Sequence, residues 1–183
     1  MGGDDLEGLN IEILNNCDIK RFNEQILDML TVSDEEFFPP LSMRSSTTQS
    51  NLMLGDKCSD GVLSYFEELK KQSFMVAYKD EELLGFVSFR EDFVNSEIDE
   101  NQLHNIYIST LVVNPKARGK GITQAMYKKL FEIYKNSNIF TRTWSTNVAH
   151  IKILSKFDFE TFKVLKDDRA KGVDTVYFKR TKR

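Results

Sequence analysis

The order of apolar and polar residues along the chain predicts alternating strands and helices. Apolar, β-branched runs bounded by turn residues are typical of strands, and apolar residues spaced three or four apart are typical of helices. Strands are predicted at residues 9–14, 74–78, 83–90, 106–113, 139–145, 159–165 and 175–179. Helices are predicted at residues 18–30, 61–71, 122–135 and 147–157, the first with Asp18 as its N-cap.

The resulting order, β-α-α-β-β-β-α-β-α-β-β, is typical of an α/β protein with a mixed β-sheet and flanking helices. The segment from Ile106 to Val113 is apolar and largely β-branched, so we expect a buried central strand there. A charged connection, Asp167 to Val173, is expected between the last two strands. The length of 183 residues suits one domain, spanning residues 1–183.

Composition argues against several classes of partner. A net charge of -3 gives no overall basic field for nucleic acid, and we interpret the basic residues 179–183 as a solubilising tail. The N-terminal segment lacks the apolar run of a signal or a membrane span, so we expect a soluble, cytoplasmic protein without a membrane partner. The two cysteines and two histidines have no metal-ligand spacing, so no metal site is expected.

The loop before the third predicted helix has the features of a phosphate-binding cradle. The first N–H groups of a helix lack internal partners, and the helix dipole favours negative charge at that end. Gly119 and Gly121 would let a ligand approach the backbone closely, and Arg118 and Lys120 add positive charge. A helix-starting loop with glycines and no ligand is the alternative.

Two common phosphate-binding motifs do not fit this loop. A P-loop requires Gly-x-x-x-x-Gly-Lys-Ser/Thr, which the sequence does not contain. A dinucleotide-binding fingerprint requires a third glycine at the position that Gln124 occupies.

The loop instead resembles the signature of the GNAT superfamily of acetyl-CoA-dependent N-acetyltransferases, Arg/Gln-x-x-Gly-x-Gly/Ala. Here the signature is Arg118-Gly119-Lys120-Gly121-Ile122-Thr123, with Thr123 in place of the final Gly or Ala. A second stretch, Asn147 to Phe159, resembles the family's next motif, in which an Asn starts a helix that ends in Leu-Gly-Phe. Asp158 replaces that glycine.

The resemblance implies a GNAT-like fold and acetyl-CoA as the cosubstrate. It also implies that the strand backbone at Leu111, Val112 and Val113 binds the pantetheine arm, with an N–H near Leu111 stabilising the oxyanion. The N–H groups of Arg118, Gly119, Lys120, Gly121, Ile122 and Thr123 are expected to hold the pyrophosphate. Asn147 is expected to contact the cofactor arm from the other side.

The resemblance leaves the catalytic acid and base open. In many family members a Tyr protonates the leaving thiolate, but Leu154 occupies its place. His150, one helical turn earlier, is our candidate acid, and packing of His150 or protonation by solvent are the alternatives. The candidates for the base are Glu91, Asp92 and His104, with Tyr107 or Ser109 holding a water.

These observations predict an N-acetyltransferase that acts on a primary amine. The acidic residues Glu91, Asp92, Glu97, Asp99 and Glu100 would lie near the substrate entrance, so the amine is expected to be small and cationic. Residues 37–40, Phe-Phe-Pro-Pro, are expected either to shape the amine pocket or to pack on the core. A catalytically weak acyl-CoA-binding or regulatory protein is the alternative, and a homodimer is left open.

Overall fold

The predicted alternation of strands and helices is present in the computed structural model, which describes residues 6–15, 17–48, 52, 60–94 and 105–182. The strands are β1 (Asn10–Leu14), β2 (Ser73–Lys79), β3 (Glu82–Arg90), β4 (Ile106–Val113), β5 (Ile139–Trp144), β6 (Glu160–Ala170) and β7 (Val173–Arg180). The helices are α1 (Asn23–Val32), α2 (Val62–Leu69), α3 (Ile122–Ile133) and α4 (Val148–Lys156). Single 3₁₀ turns include Asp18–Phe22, Asp34–Glu36, Leu41–Met43 and Pro115–Ala117. The predicted mixed α/β fold is confirmed.

The strands of the described chain form one sheet in the order β1-β2-β3-β4-β5-β7-β6. Neighbouring strands are antiparallel except for β4 and β5, which are parallel. The apolar sequence of β4 agrees with its central position, because both faces of a central strand are covered.

Helices cover both faces of the sheet and create two apolar cores. Buried residues of α1 and α2 pack on one face together with Phe86 and Val112. Buried residues of α3 pack on the other face with Val87, Ile108 and Val113. Side chains alternate along a strand, which explains why the neighbours Val112 and Val113 belong to different cores.

The first predicted helix starts later than expected, and Asp18 is not its cap. Residues Asp18–Phe22 form a 3₁₀ turn, and α1 begins at Asn23 without a side-chain cap. The side chain of Asn15 accepts hydrogen bonds from the N–H groups of Cys17 and Asp18, at 2.8 and 3.2 Å. Asn15 therefore satisfies backbone donors at the start of this segment, three residues before the predicted cap.

The charged connection expected at Asp167 to Val173 is mostly strand, so this prediction was wrong. β6 and β7 form one hairpin with a tight turn at Gly172, whose φ is 80°. The charges are accommodated because Lys166 pairs with Asp174 at 2.7 Å and Arg169 enters the interior, where it is 4% exposed. A charged segment can therefore form a strand when its charged side chains find partners, and its sequence pattern does not indicate this.

The parallel strands β4 and β5 separate before they end. Ile108 and Thr141 are their last paired residues. On the other side of β4, the register with β3 shifts at Ser109, which is one extra residue in β4. Such a bulge bends its strand. The carboxyl ends of β4 and β5 therefore diverge and leave a gap, in the position where open α/β sheets commonly bind ligands.

Gly85 in β3 allows α3 to approach the sheet. A Cβ at this position would lie 3.1 Å from the carbonyl oxygen of Val112, 3.2 Å from Val113 Cγ2 and 3.3 Å from Ile122 Cγ2. We expect Gly85→Ala to lower the free energy of unfolding by about 1–3 kcal/mol, because overpacking strains a dense core. Ser88→Ala in the same strand is the control. Its buried hydroxyl has no partner in the described chain, so a change below about 1 kcal/mol is expected. Equal losses for the two variants in urea denaturation would contradict the prediction.

Candidate functional site

A cleft of about 320 Å³ occupies the gap between β4 and β5. Its walls come from both strands, from the starts of α3 and α4, and from the segment between α1 and α2. Residues predicted from the sequence that line it together are Leu111, Val112, Val113, Arg118, Thr123, Asn147 and His150. The other predicted cofactor-binding residues, Gly119, Lys120, Gly121 and Ile122, lie in the loop between Arg118 and Thr123 that adjoins the cleft.

The backbone of β4 presents hydrogen-bonding groups to this cleft. The N–H of Asn114 donates to the Leu84 carbonyl on the β3 side at 2.9 Å, so the Val113 carbonyl points the opposite way and accepts from Arg118 Nε at 3.1 Å. N–H and C=O of an extended residue point to the same side, and the sides alternate along a strand. The N–H groups of Val113 and Leu111 therefore face the gap, where β5 no longer pairs. Their role in binding stays a prediction.

The loop before α3 has the backbone geometry of an anion cradle. Gly119 and Gly121 adopt φ values of 79° and 81°, a conformation that residues with a Cβ disfavour. An added Cβ at either glycine would meet no described atom within 4 Å, so the space in front of the loop is open. The N–H of Ala125 donates to the Gly121 carbonyl at 2.9 Å. The three preceding helix N–H groups have no intrahelical acceptor and point toward this space.

The two charged residues of the loop have different environments. Arg118 forms a bidentate ion pair with Glu36, at 3.0 and 2.7 Å, and its own N–H bonds to the Pro115 carbonyl at 3.4 Å. The ion pair with Glu36 offsets the positive charge that Arg118 adds, and the guanidinium braces the loop. Lys120 is exposed and has no ion pair within the described residues. A phosphate contact by either residue stays a prediction.

Two predicted residues fix the helices that flank the cleft. The Ile122 side chain is 3% exposed and packs in the α3 core, so only its backbone can face a ligand. The Asn147 side chain accepts from the His150 N–H at 3.2 Å and donates to the Thr143 hydroxyl at 3.1 Å. Asn147 thus caps α4 and ties its start to β5.

The candidate acid, His150, is half-buried in the cleft wall beside Tyr127. Its Nε2 lies 2.9 Å from the hydroxyl of Tyr127, and the two rings stack. Burial lowers the pKa of His150 to about 4 and raises the pKa of Tyr127. The imidazole is therefore neutral near pH 7 and carries no extra proton to donate to a thiolate. Leu154, at the position of the family's Tyr, is fully buried in the α3 core.

The candidate bases are mostly distant from the cleft. Glu91 and Asp92 line separate hollows near the end of β3. Tyr107 is 3% exposed and stacks on Phe93, with 4.5 Å between the ring centroids. Ser109 does line the cleft, and its hydroxyl donates to Gln72 Oε1 at 2.7 Å. His104, Glu97, Asp99 and Glu100 lie outside the described residues.

Sequence reasoning missed three arginines that line the cleft, Arg44, Arg142 and Arg169. Arg142 stands in the otherwise uncharged strand β5, two residues before the cleft residue Trp144. A lone charge in a buried strand was the available signal, because such a charge requires a partner or a ligand. The predicted pocket residue Phe37 also lines the cleft, where its ring lies 5.9 Å from that of Trp144.

Within the described chain, no group of three or more His, Cys, Asp or Glu residues could hold a metal ion. Among the described helices, none is long and apolar enough to cross a membrane.

The site combines a gap between parallel strands, a glycine loop at a helix start and a second helix capped by Asn147. The model of the acetyltransferase (GNAT) family matches residues 29–159, and the chain belongs to this family. The match includes both motifs from which the resemblance was inferred. The predicted family membership is therefore confirmed.

Solved structures of several acetyltransferases share the fold. The N-acetyltransferase of Staphylococcus aureus Mu50 has 18% identity and a TM-score of 0.60, with 94% of this chain and 98% of that chain covered. The ribosomal-protein-alanine N-acetyltransferase of Brucella melitensis has 14% identity and a TM-score of 0.63, covering 94% and 99%. The yncA protein of Salmonella typhimurium, solved with its cofactor acetyl-CoA, has 13% identity and a TM-score of 0.62, covering 94% and 93%. No curated protein matches the sequence significantly.

The environment of His150 predicts a pH dependence of stability. A histidine has a pKa of about 6.5 when unfolded, so between pH 6.5 and 4 the unfolded chain binds more protons at this position than the native protein. The free energy of unfolding should therefore fall by about 1–3 kcal/mol as the pH is lowered from 7 to 4. His150→Gln should lack this component in urea denaturation. NMR titration gives the ring pKa directly, with His104→Gln identifying the second histidine signal. A His150 ring that titrates near pH 6.5 would contradict the prediction.

Proposed function

We propose that this protein transfers the acetyl group of acetyl-CoA to the primary amine of a small molecule. The observation that carries the proposal is the gap between β4 and β5 beside the glycine loop of α3, in a chain of the acetyltransferase (GNAT) family. A cytoplasmic location and a homodimer remain predictions.

The residues around the gap fit acetyl-CoA. The first N–H groups of α3 and the exposed Lys120 suit the pyrophosphate, and Gly119 and Gly121 keep side chains out of its approach. The N–H groups of Leu111 and Val113 suit the amides of the pantetheine arm, which would bind as an added strand does. Asn147 and the hydroxyl of Thr123 are on the cleft wall beside this path.

Acetyl-CoA supplies an acetyl group that is activated as a thioester. The neutral amine nitrogen forms a bond to the acetyl carbon, the carbon–sulfur bond breaks, its electron pair leaves with the sulfur, and the nitrogen loses a proton. We assign the Leu111 N–H to the acetyl oxygen, where negative charge develops. Positioning and backbone electrostatics then provide most of the rate enhancement.

The proton for the leaving thiolate has two candidate sources. His150 was the choice from the sequence, but its pKa of about 4 keeps the imidazole neutral near pH 7. A thiolate whose thiol has a pKa of about 8.5 accepts a proton from solvent at modest cost. Solvent is therefore the source that the electrostatics favour.

The sequence-based hypothesis of a small cationic amine has little support in the described cleft. Glu36 is the one carboxylate residue among those lining it, and Arg118 neutralises this group. Glu91 and Asp92 line other hollows. A cationic acceptor therefore finds no uncompensated negative charge among the described residues of the cleft.

An acyl-CoA-binding or regulatory protein without turnover is the second candidate. Leu154 and the low pKa of His150 favour it, because neither side chain is an effective acid at neutral pH. Measuring CoA release across a panel of primary amines separates the two functions. Release of CoA with any amine supports the acetyltransferase. Tight binding of acetyl-CoA without CoA release supports the acyl-CoA-binding or regulatory protein.

The glycine cradle can be tested with a matched pair of variants. Gly121→Val should weaken acetyl-CoA binding by about tenfold or more, because the side chain would occupy the approach to the helix N–H groups. Gly172→Val is the control, since Gly172 has φ of 80° and open space like Gly121 but lies in the β6–β7 turn. Both variants should lose stability, and only Gly121→Val should lose affinity in calorimetry. Equal affinity in Gly121→Val and wild type would exclude the cradle.

A further inference from the structure

Three arginines form a positively charged wall of the cleft, on the face of the sheet opposite α3. Along β5, Ile139 packs in the α3 core and Thr143 bonds to Asn147 at the start of α4. Side chains alternate, so Arg142 projects from the other face. Its contact with the Tyr177 ring, 5.8 Å from guanidinium carbon to ring centroid, agrees with this direction. Arg44 and Arg169 reach the same cleft from the α1–α2 segment and from β6.

Each arginine is held in place by backbone carbonyls of the segment between α1 and α2. Arg44 donates twice to the Pro39 carbonyl, at 3.1 and 2.9 Å. Arg169 donates to the Phe38 carbonyl and, at 3.0 Å, to the Thr175 hydroxyl. These bonds fix the guanidinium groups without neutralising them, because carbonyl and hydroxyl oxygens carry no formal charge.

The contacts of Arg142 are weaker than those of the other two arginines. Its guanidinium donates to the Thr47 carbonyl at 3.3 Å and to the Tyr177 hydroxyl at 3.2 Å. Arg142 is therefore the arginine whose removal should disturb the fold least.

Within the described residues this wall carries more positive than negative charge, because the Asp168 carboxylate, which accepts from the Thr175 hydroxyl and favours the charged form of Arg169, cannot offset three guanidinium groups. No ion pair there joins a carboxylate to Arg44, Arg142 or Arg169, although Arg44 is 8% and Arg169 4% exposed. Arg118, the fourth arginine of the cleft, is already paired with Glu36. Buried charges ordinarily have a paired counter-charge, so this cluster points to an anion that the described residues do not supply.

The pKa values of Arg44 and Arg169 agree with a missing counter-anion. Burial and the neighbouring Arg44 and Arg142 lower the pKa of Arg169 to about 9. Burial, with a contribution from Arg142, also lowers the pKa of Arg44. The pKa of Arg142 is instead raised, because the effect of its burial is outweighed by Tyr107 and Tyr177. A bound anion would relieve the repulsion at Arg44 and Arg169.

A buried hydroxyl adds a second, independent observation. Ser33 lines the same cleft and is 1% exposed, yet its Oγ has no hydrogen-bond partner in the described chain. A buried polar atom without a partner is uncommon, and a ligand oxygen in the cleft would satisfy it.

The phosphates of acetyl-CoA do not account for the arginine wall. Their cradle lies at the start of α3, whereas Arg142 projects from the opposite face of the sheet. The pantetheine arm between them is uncharged. Of the two substrates in the proposed reaction, the second is therefore the one whose anion this wall fits.

We propose that the acceptor is an anionic amine, a small molecule that carries a carboxylate or phosphonate-type group in addition to its primary amine. This inference rests on the proposed function and names the substrate class of the same site. Guanidinium forks match the paired oxygens of such groups, so the wall would hold the anion and leave the amine directed at the gap between the strands.

The test compares amines that differ only in the anionic group. β-Alanine is paired with β-alaninamide and 2-aminoethylphosphonate with ethanolamine, and putrescine is the cationic probe. CoA release gives kcat/KM, corrected for the fraction of each amine that is deprotonated. We expect the anionic member of each pair to be preferred by about 10- to 100-fold, the range for hydrogen bonds to a charged group.

Three variants separate ligand binding from a purely structural role. Arg142→Gln should abolish the preference by lowering kcat/KM for the anionic amines alone, and Arg142→Lys should restore part of it. Arg21→Gln is the control, because Arg21 is an exposed residue that pairs with Glu12 and does not line the cleft. A structural role would instead lower kcat/KM equally for amines with and without the anionic group in Arg142→Gln.

The outcomes also distinguish this inference from the proposed function. Preference for β-alaninamide, ethanolamine or putrescine would overturn the inference while acetyl transfer stands. If no amine releases CoA, calorimetry with CoA and 2-aminoethylphosphonate decides the matter. Binding that Arg142→Gln removes would support the anion site although the proposed function fails, and no binding by wild type would overturn the inference.

Discussion

Beyond Ile108 and Thr141, the parallel strands β4 and β5 no longer exchange backbone hydrogen bonds. The interior of a sheet normally leaves few N–H or C=O groups without partners. Here the bulge at Ser109 bends β4 away, so the N–H groups of Leu111 and Val113 face a cleft instead of a strand. A sheet that stayed paired to its end would have neither the cleft nor these donors. The helices matter to the site because they cover the two faces of the sheet while the gap stays open.

The turn Asp34–Glu36 contacts both the segment that carries Arg44 and the glycine loop before α3. Asp34 accepts hydrogen bonds from both the N–H and the hydroxyl of Ser42, at 2.8 Å each, and this holds the segment that carries Arg44. In the same turn, Glu36 forms the bidentate pair with Arg118 in the glycine loop. The turn therefore connects the segment that holds an anion-binding arginine to the loop that is expected to hold the cofactor. Arg118 has a structural reason to be present even if it never contacts a phosphate.

Most of the fold follows from local sequence rules, and the exceptions have identifiable causes. The bounds of β4 were predicted correctly because an apolar, β-branched run has few alternatives in a central strand. The second half of β6 was missed because its charged residues find partners across the hairpin, for instance Lys166 with Asp174. Residues Asp18–Phe22 form a 3₁₀ turn instead of the first turn of the predicted helix. The side chain of Asn15 bonds to the backbone at the start of this turn, and apolar periodicity cannot detect such a contact.

The cofactor side of the site was more predictable than the acceptor side. The glycine loop and Asn147 are adjacent in the sequence to the helices that they start, so a local motif contains them. The arginine wall joins Arg44, Arg142 and Arg169 from three separate segments, and only the folded chain brings them together. The low pKa of His150 could not be predicted for a similar reason, because Tyr127, which stacks on its ring, lies on another helix. The acidic residues between positions 91 and 100 suggested a cationic substrate. The described cleft instead carries positive charge, which favours an anionic one.

An arginine wall also bears on the missing general base. An amine must lose its proton before it attacks, and a carboxylate or imidazole often removes that proton. Within the described cleft, Glu36 is engaged by Arg118, and His150 is a weak base because its pKa is about 4. Nearby positive charges disfavour an ammonium group and so lower its pKa. An anionic amine held by the arginines would therefore bind through its negative group while its ammonium is repelled, which favours the neutral, nucleophilic form. The same guanidinium groups would then select the substrate and promote its deprotonation, with solvent accepting the proton.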